Sequence, residues 1–150
     1  MNILYIIGII FMHKEYFLNI ISIEKKIFSN LVKKIKISVI EGYLSIHPGH
    51  IPLLTLIKPG VIYITKKKNN EYFYISGGIL EIKKNQVNIL ADIVIKGTDL
   101  NENIILSNKS KIEKKIKNNI FNKNYLINIK ELYKILAQLK TVQLTKKNNT

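Results

Sequence analysis

Between Tyr16 and Lys96 the chain alternates apolar and polar positions in short runs. Residues 34–39 read Lys-Ile-Lys-Ile-Ser-Val, which puts Ile35, Ile37 and Val39 on one side of an extended chain and Lys34, Lys36 and Ser38 on the other. A period of two over this length predicts a half-buried strand. A second strand starts at Gly42 and ends before His47-Pro48-Gly49-His50, which reads as a turn. Two β-rich runs then flank Lys66–Asn70 and predict a hairpin, with Val61 and Tyr63 on one face and Ile62 and Ile64 on the other. Residues 78–92 repeat the pattern about a turn at Lys83–Gln86. Strands recurring about every ten residues, with no run suited to a crossover helix, predict an antiparallel β-sandwich or barrel rather than a parallel α/β sheet.

The texture changes at Thr98. Asp99 followed three residues later by Glu102 is a helix-start signature. Ile105, Ile112 and Ile116 then share a helical face, and Glu113 stands four residues before Lys117. Residues 118–124 break the run. Asn128 and Glu131 mark a second start, after which Ile129, Leu132, Leu136 and Leu139 form a seam running to about Leu144. The prediction is an antiparallel two-helix hairpin joined to the β domain near Gly97–Asp99. Such a hairpin buries a single seam, and most helix stability comes from tertiary packing, so periodicity alone leaves two expectations open: a movable element that opens at modest cost, or a hairpin packed permanently on the sandwich. The expected organisation is therefore residues 1–11, a β-sandwich over 12–97 and a helical hairpin over 98–150.

Residues 1–11 are almost wholly apolar. The run is too short to span a bilayer, which needs about 20 residues, and it lacks the charged flank and cleavage site of a signal peptide. Since Met12 follows at once, the segment reads as an apolar leader or as an over-extended start.

A net charge of +14 ordinarily points to nucleic acid or an anionic surface. Here all 24 basic residues are Lys and none is Arg, although Arg is the side chain suited to guanine edges and phosphates. Lys, Asn, Ile and Tyr share A/T-rich codons, so one genomic bias accounts for their joint abundance. The charge is also even: residues 1–97 carry 13 − 6 = +7 and residues 98–150 carry 11 − 4 = +7. That distribution describes a solvated surface better than a polyanion groove.

Candidate chemistry is sparse. The absence of cysteine removes thiol nucleophiles, thiolate zinc sites and disulfides together. No phosphate-cradling Gly loop and no nucleophile elbow is present. Glu41, Glu71, Glu81 and Asp92 are scattered. His47 and His50, with Glu41, are the only metal-ligand set worth weighing, and neither histidine has a candidate orienting partner or nucleophile. Pro48 fixes φ and Gly49 permits φ > 0, so the four residues read as a rigid turn suited to docking. No metal, cofactor or catalytic residue is expected.

Four stretches in order, residues 41–64, 71–92, 96–102 and 131–147, closely resemble the epsilon subunit of bacterial F-type ATP synthase, and the likeness runs from about Tyr16 to Lys147. The resemblance implies a non-catalytic rotor subunit of a proton-translocating enzyme, held peripherally on the cytoplasmic side of the cell inner membrane. Its sandwich would dock on the gamma subunit and the c ring. Its hairpin would either fold on the sandwich or extend along gamma to block ATP hydrolysis. Glu41, Gly42, Tyr43, Pro48, Gly49 and His50 would face the c ring; at Tyr43 relatives often carry an acid. Lys134, Lys140, Lys146 and Lys147 match the basic residues that face an acidic segment of the beta subunit, near alpha, in the inhibited state. Some relatives bind ATP at the start of the first helix; here the corresponding Leu100, Asn101, Ile104 and Ile105 lack both the acid and the Arg, which implies weak or absent ATP binding.

The competing reading from the residues alone is a nucleic-acid-binding β module with a basic helical hairpin. It needs exposed aromatics in a basic groove, and Tyr72 with Tyr74 on one strand face are its candidates.

Overall fold

In the computed structural model residues 2–11, 14–118 and 123–149 are described. Met12, His13 and the middle of the predicted helix-connecting loop lie outside them. A short helix, α1 (Ile3–Phe11), precedes ten strands: β1 (Tyr16–Ser22), β2 (Lys26–Val32), β3 (Lys34–Val39), β4 (Gly42–Ile46), β5 (Leu53–Ile57), β6 (Gly60–Thr65), β7 (Asn70–Ile75), β8 (Gly78–Lys83), β9 (Gln86–Ala91) and β10 (Val94–Lys96). A 3-10 turn at Gly97–Asp99 leads into α2 (Glu102–Asn118) and α3 (Tyr125–Asn148).

The strands follow the order β10-β7-β6-β3-β5-β8-β9-β1-β2, with β4 attached to β3 alone. β3 is the fold line. Lys34–Lys36 pair with β6, whereas Val39 pairs with β5. The two halves close over one core, and Phe28 of β2 meets Phe73 of β7 edge-on with ring centroids 5.7 Å apart. Ile35, Ile37, Ile62 and Ile64 fall inside as their alternation predicts. Each such side chain contributes roughly 1.5–3 kcal/mol on burial. This is the expected sandwich followed by two helices.

One pairing is parallel. β1 lies beside β9 with Phe17 opposite Gln86 and Ser22 opposite Ala91. A parallel pair needs a long connection, and here the intervening strands of the sandwich supply it instead of a crossover helix.

The helices depart from the sequence reading in three places. Asp99 is not the cap of α2: its carboxylate accepts from the neighbouring Thr98 hydroxyl at 3.1 Å inside the 3-10 turn. Asn101 does the capping, its Oδ1 accepting from the backbone N–H of Asn103 at 3.0 Å and of Ile104 at 3.2 Å. α3 starts three residues before Asn128 and continues past Leu144 to Asn148. Finally, Glu113 pairs with Lys109 at 3.5 Å, one turn behind it, instead of with Lys117.

The interhelical seam is also rotated. Ile105, Ile135 and Val142 are its buried residues, with Leu100, Ile112 and Leu139 packed beside them, while Leu136 is exposed. α3 has a second face, turned to β6 and β7, and that face holds Gln138, Thr141 and Thr145. Thr141 is fully buried and donates to the Ala137 carbonyl at 2.8 Å. Asn148 Nδ2 donates to the Asn70 carbonyl at 3.1 Å, and Lys146 pairs with Glu102 of α2. On the α3 side this contact is largely polar, while the sheet beneath it presents the buried Val61 and Tyr74.

Candidate functional site

No three His, Asp or Glu side chains among the described residues gather as metal ligands. The cleft between His47, His50 and Tyr16 has a volume of about 10 Å³, room for a single water. The useful geometry lies on surfaces.

The turn at residues 47–50 has the geometry its sequence predicts. The His50 N–H donates to the His47 carbonyl at 3.2 Å, and Gly49 has φ +81°, as a type II turn with Pro second and Gly third requires. His50 Nδ1 lies 2.7 Å from the Ile51 carbonyl and can donate to it. Glu41, Gly42 and Tyr43 do not join this turn. They sit at the other end of β4, whose five residues span about 17 Å. Glu41 Oε2 accepts from the Thr55 hydroxyl at 3.3 Å, and Tyr43 is exposed beneath the Lys36 ammonium, 4.9 Å from the ring centroid. The six residues expected to meet one partner thus form two clusters at the ends of a single strand.

The hairpin lysines are partly engaged. Lys140 sits 6.0 Å from the Tyr63 ring centroid. Its hydrogen bond to the Tyr63 phenol, aided by Tyr43, raises the ammonium above the ordinary lysine range. Lys146 pairs with Glu102, Lys134 is half-buried and Lys147 is exposed. Beneath α3, Tyr74 is buried and bonded to Gln138, and burial raises its hydroxyl. Tyr72 packs edge-on against Tyr63 at 5.8 Å. Neither tyrosine is a free stacking platform while the hairpin is docked.

At the start of α2 the four positions aligned with an ATP motif have other work. Asn101 caps the helix, Ile105 is buried between the helices, Leu100 packs beside it and Ile104 faces solvent. None of the four is itself a cation, and the ammonium that reaches this turn, that of Lys146, is paired with Glu102.

The sheet face opposite the hairpin was not singled out by the sequence reading. Leu56, Ile79, Leu90 and Ile21 are register partners in one row across β5, β8, β9 and β1. Leu54, Leu56, Ile79 and Leu90 are 43–70% exposed. Alongside runs a polar row: Ser29 donates to Asn19 Oδ1 at 2.7 Å, Asn19 to Asn88 Oδ1 at 3.1 Å, and Asn88 to Glu81 Oε2 at 2.9 Å. The Asn88 bond, with help from Lys83, lowers the Glu81 carboxyl. Glu81 and Lys83, 3.2 Å apart, are the only charges that β5, β8, β9 and β1 present on this face. The neutral, apolar platform contrasts with the lysine-rich remainder. Exposed leucines out of phase with the core in successive strands were the signal available in the sequence.

A family profile described as ATP synthase, Delta/Epsilon chain, beta-sandwich domain matches residues 15–97. The chain belongs to the ATP synthase delta/epsilon family. As an epsilon-type member it is a non-catalytic subunit, in keeping with surfaces built for contact. A chain in the cryo-EM structure of the Euglena gracilis mitochondrial ATP synthase (OSCP/F1/c-ring, rotational state 1) has the same fold, with a TM-score of 0.71 at 15% identity over 88% of this chain and 81% of that one. That coverage exceeds what the sandwich alone supplies. A chain in the Tetrahymena thermophila mitochondrial ATP synthase central stalk/c-ring structure gives 0.48 at 17% identity over 89% and 96%. No described helix of this delta/epsilon chain is long and apolar enough to cross a membrane.

Proposed function

We propose that the chain is the rotor subunit of the central stalk that links gamma to the c ring and restrains ATP hydrolysis through its helical hairpin. The observation that carries the coupling role is the neutral face at Leu54, Leu56, Ile79 and Leu90. Depletion of charge with retention of apolar area marks the centre of a protein interface, and contiguous exposed apolar surface calls for a partner. Gamma covers this face in the assembled stalk. The two ends of β4, at Glu41–Tyr43 and Pro48–His50, meet the polar loops of the c ring, so the exposed edge of one strand spans the contact. Membrane attachment through the c ring, on the cytoplasmic side of the inner membrane, is then indirect and peripheral.

Residues 98–150 act as the regulatory domain. Across their contact with the sandwich Gln138 bonds Tyr74 and Asn148 bonds the Asn70 carbonyl, bonds that exchange for water at low net cost. Such a contact releases more readily than an aliphatic one. Lys140 leaves Tyr63 on release and becomes available, with Lys134 and Lys147, to an acidic segment of beta; Lys146 joins them when α2 and α3 separate, because its partner Glu102 belongs to the hairpin. Opposite charge then supplies register and association rate.

Ile79→Asp with Leu90→Asp tests the coupling role. Both side chains are exposed, so the fold survives, and the variant is expected to lose co-purification with gamma while keeping its own unfolding transition. Undiminished co-purification contradicts the assignment of this face.

A further inference from the structure

α1 has no place in the delta/epsilon assignment, whose matched region begins at residue 15. Its nine residues, Ile-Leu-Tyr-Ile-Ile-Gly-Ile-Ile-Phe, contain no charged or amide side chain. Ile3, Leu4 and Tyr5 are 66–74% exposed, and Ile6 and Ile7 are 40–43% exposed. Neither buried cluster of the molecule contains a residue before Tyr16. Ile3 to Ile7 thus leave much of their apolar side-chain surface in water, a state that calls for a cover.

Three features select the cover. A helix apolar on every side needs surroundings on every side. A protein groove supplies one, whereas a lipid layer supplies all. At 1.5 Å per residue α1 is about 13 Å long, less than half of the hydrocarbon thickness, so it reaches into one leaflet and cannot span. Its start is polar and satisfied: the Asn2 carbonyl accepts from Tyr5 N–H at 2.9 Å and from Ile6 N–H at 3.2 Å. Asn2 therefore belongs at the headgroup level, where Tyr5 also prefers to lie. The chain behind it carries a net charge of +14, complementary to an anionic leaflet.

We propose that α1 lies in the surface layer of an anionic lipid membrane and tethers the rotor subunit there independently of the c ring. One apolar anchor of this size binds reversibly and needs the electrostatic contribution as a second signal, which is compatible with a subunit that must rotate.

The test is flotation of the full chain with vesicles of phosphatidylcholine, with and without phosphatidylglycerol. The expected result is association with the phosphatidylglycerol vesicles at least tenfold stronger than with neutral ones, lost at least tenfold on deletion of residues 2–11. Ile6→Lys with Ile7→Lys, in a chain of native length, is expected to lose it too. Association unchanged by either variant overturns the proposal, as does self-association through α1 that vesicles fail to disperse. The mass of the chain purified from its own membranes gives a second reading: an amino terminus at Met12 overturns the proposal, and one at Met1 or Asn2 supports it. None of these outcomes bears on the gamma-facing surface, which co-purification tests separately.

Discussion

Gly97 and Thr145 touch where the chain leaves the sandwich and α3 returns to it. A Cβ at Gly97 would lie 1.9 Å from Thr145 Oγ1, 3.1 Å from Thr145 Cβ and 3.2 Å from the Tyr72 carbonyl. The threonine cannot simply turn away, because its hydroxyl donates to the Thr141 carbonyl at 2.8 Å. The glycine is what lets α3 lie down on β7.

Gly97→Ala therefore pushes α3 off the sheet. The expected cost to hairpin docking is about 1–3 kcal/mol, the usual range for overpacking. Amide hydrogen exchange reads it directly: the α3 amides should exchange roughly 5-fold to 160-fold faster, and those of β8 and β9 should not change. Unaltered α3 exchange would mean the contact does not hold the hairpin.

Stability should fall at alkaline pH. Burial raises the Tyr16 and Tyr74 hydroxyls, Tyr16 also donating to the Ile46 carbonyl at 3.0 Å, and Tyr63 raises Lys140. In the unfolded chain these groups lose their protons near the ordinary values of about 10 for Tyr and 10.4 for Lys. The folded chain still holds them there and so binds more protons, which makes stability decline as pH rises. The contribution is complete below the unfolded values and disappears as the folded values are passed. Urea unfolding at neutral pH and above about pH 10 measures the slope. Tyr16→Phe should cost about 1 kcal/mol at neutral pH and make the alkaline slope shallower.

The strand reading succeeded where burial is one-sided: Ile35, Ile37 and Val39 against Lys34, Lys36 and Ser38 need no tertiary information. The β1–β9 pairing was not legible, because it joins Phe17 to Gln86 and nothing local encodes it. The seam of α3 was misplaced for a related reason. An aliphatic count finds one stripe, but this helix has two contact faces, and the one on the sheet is written in Thr141, Thr145 and Gln138. At Asp99 the spacing to Glu102 was right for a cap, yet the 3-10 turn moved the helix start to Asn101. For the site, residues 41–50 were correctly read as turns about a strand, whereas their separation to opposite ends of β4 needed the register with β3. The Leu56–Leu90 row stayed hidden because exposed aliphatics acquire meaning only once register aligns them.

Nucleotide sensing should be absent. Asn101 spends its side-chain oxygen on the N–H groups of Asn103 and Ile104, Ile105 is buried, and Ile104 offers no charge to a phosphate. Calorimetric titration with ATP and magnesium is expected to show no submillimolar binding, and submillimolar heat would refute this reading. Asn101→Ala should cost about 1 kcal/mol through the lost cap, seen as faster exchange in the first turn of α2.

The central claim is a stalk subunit whose hairpin restrains the enzyme without chemistry of its own. The core of the sandwich draws on strand residues alone, so a chain ending at Gly97 keeps the face at Leu56, Ile79 and Leu90 and lacks the hairpin proposed to act as the brake. The decisive measurement is ATP hydrolysis by the assembled enzyme carrying either this truncated chain or the full one. Severalfold faster hydrolysis with the truncated chain, at equal subunit content, is the predicted result; equal rates would contradict the account.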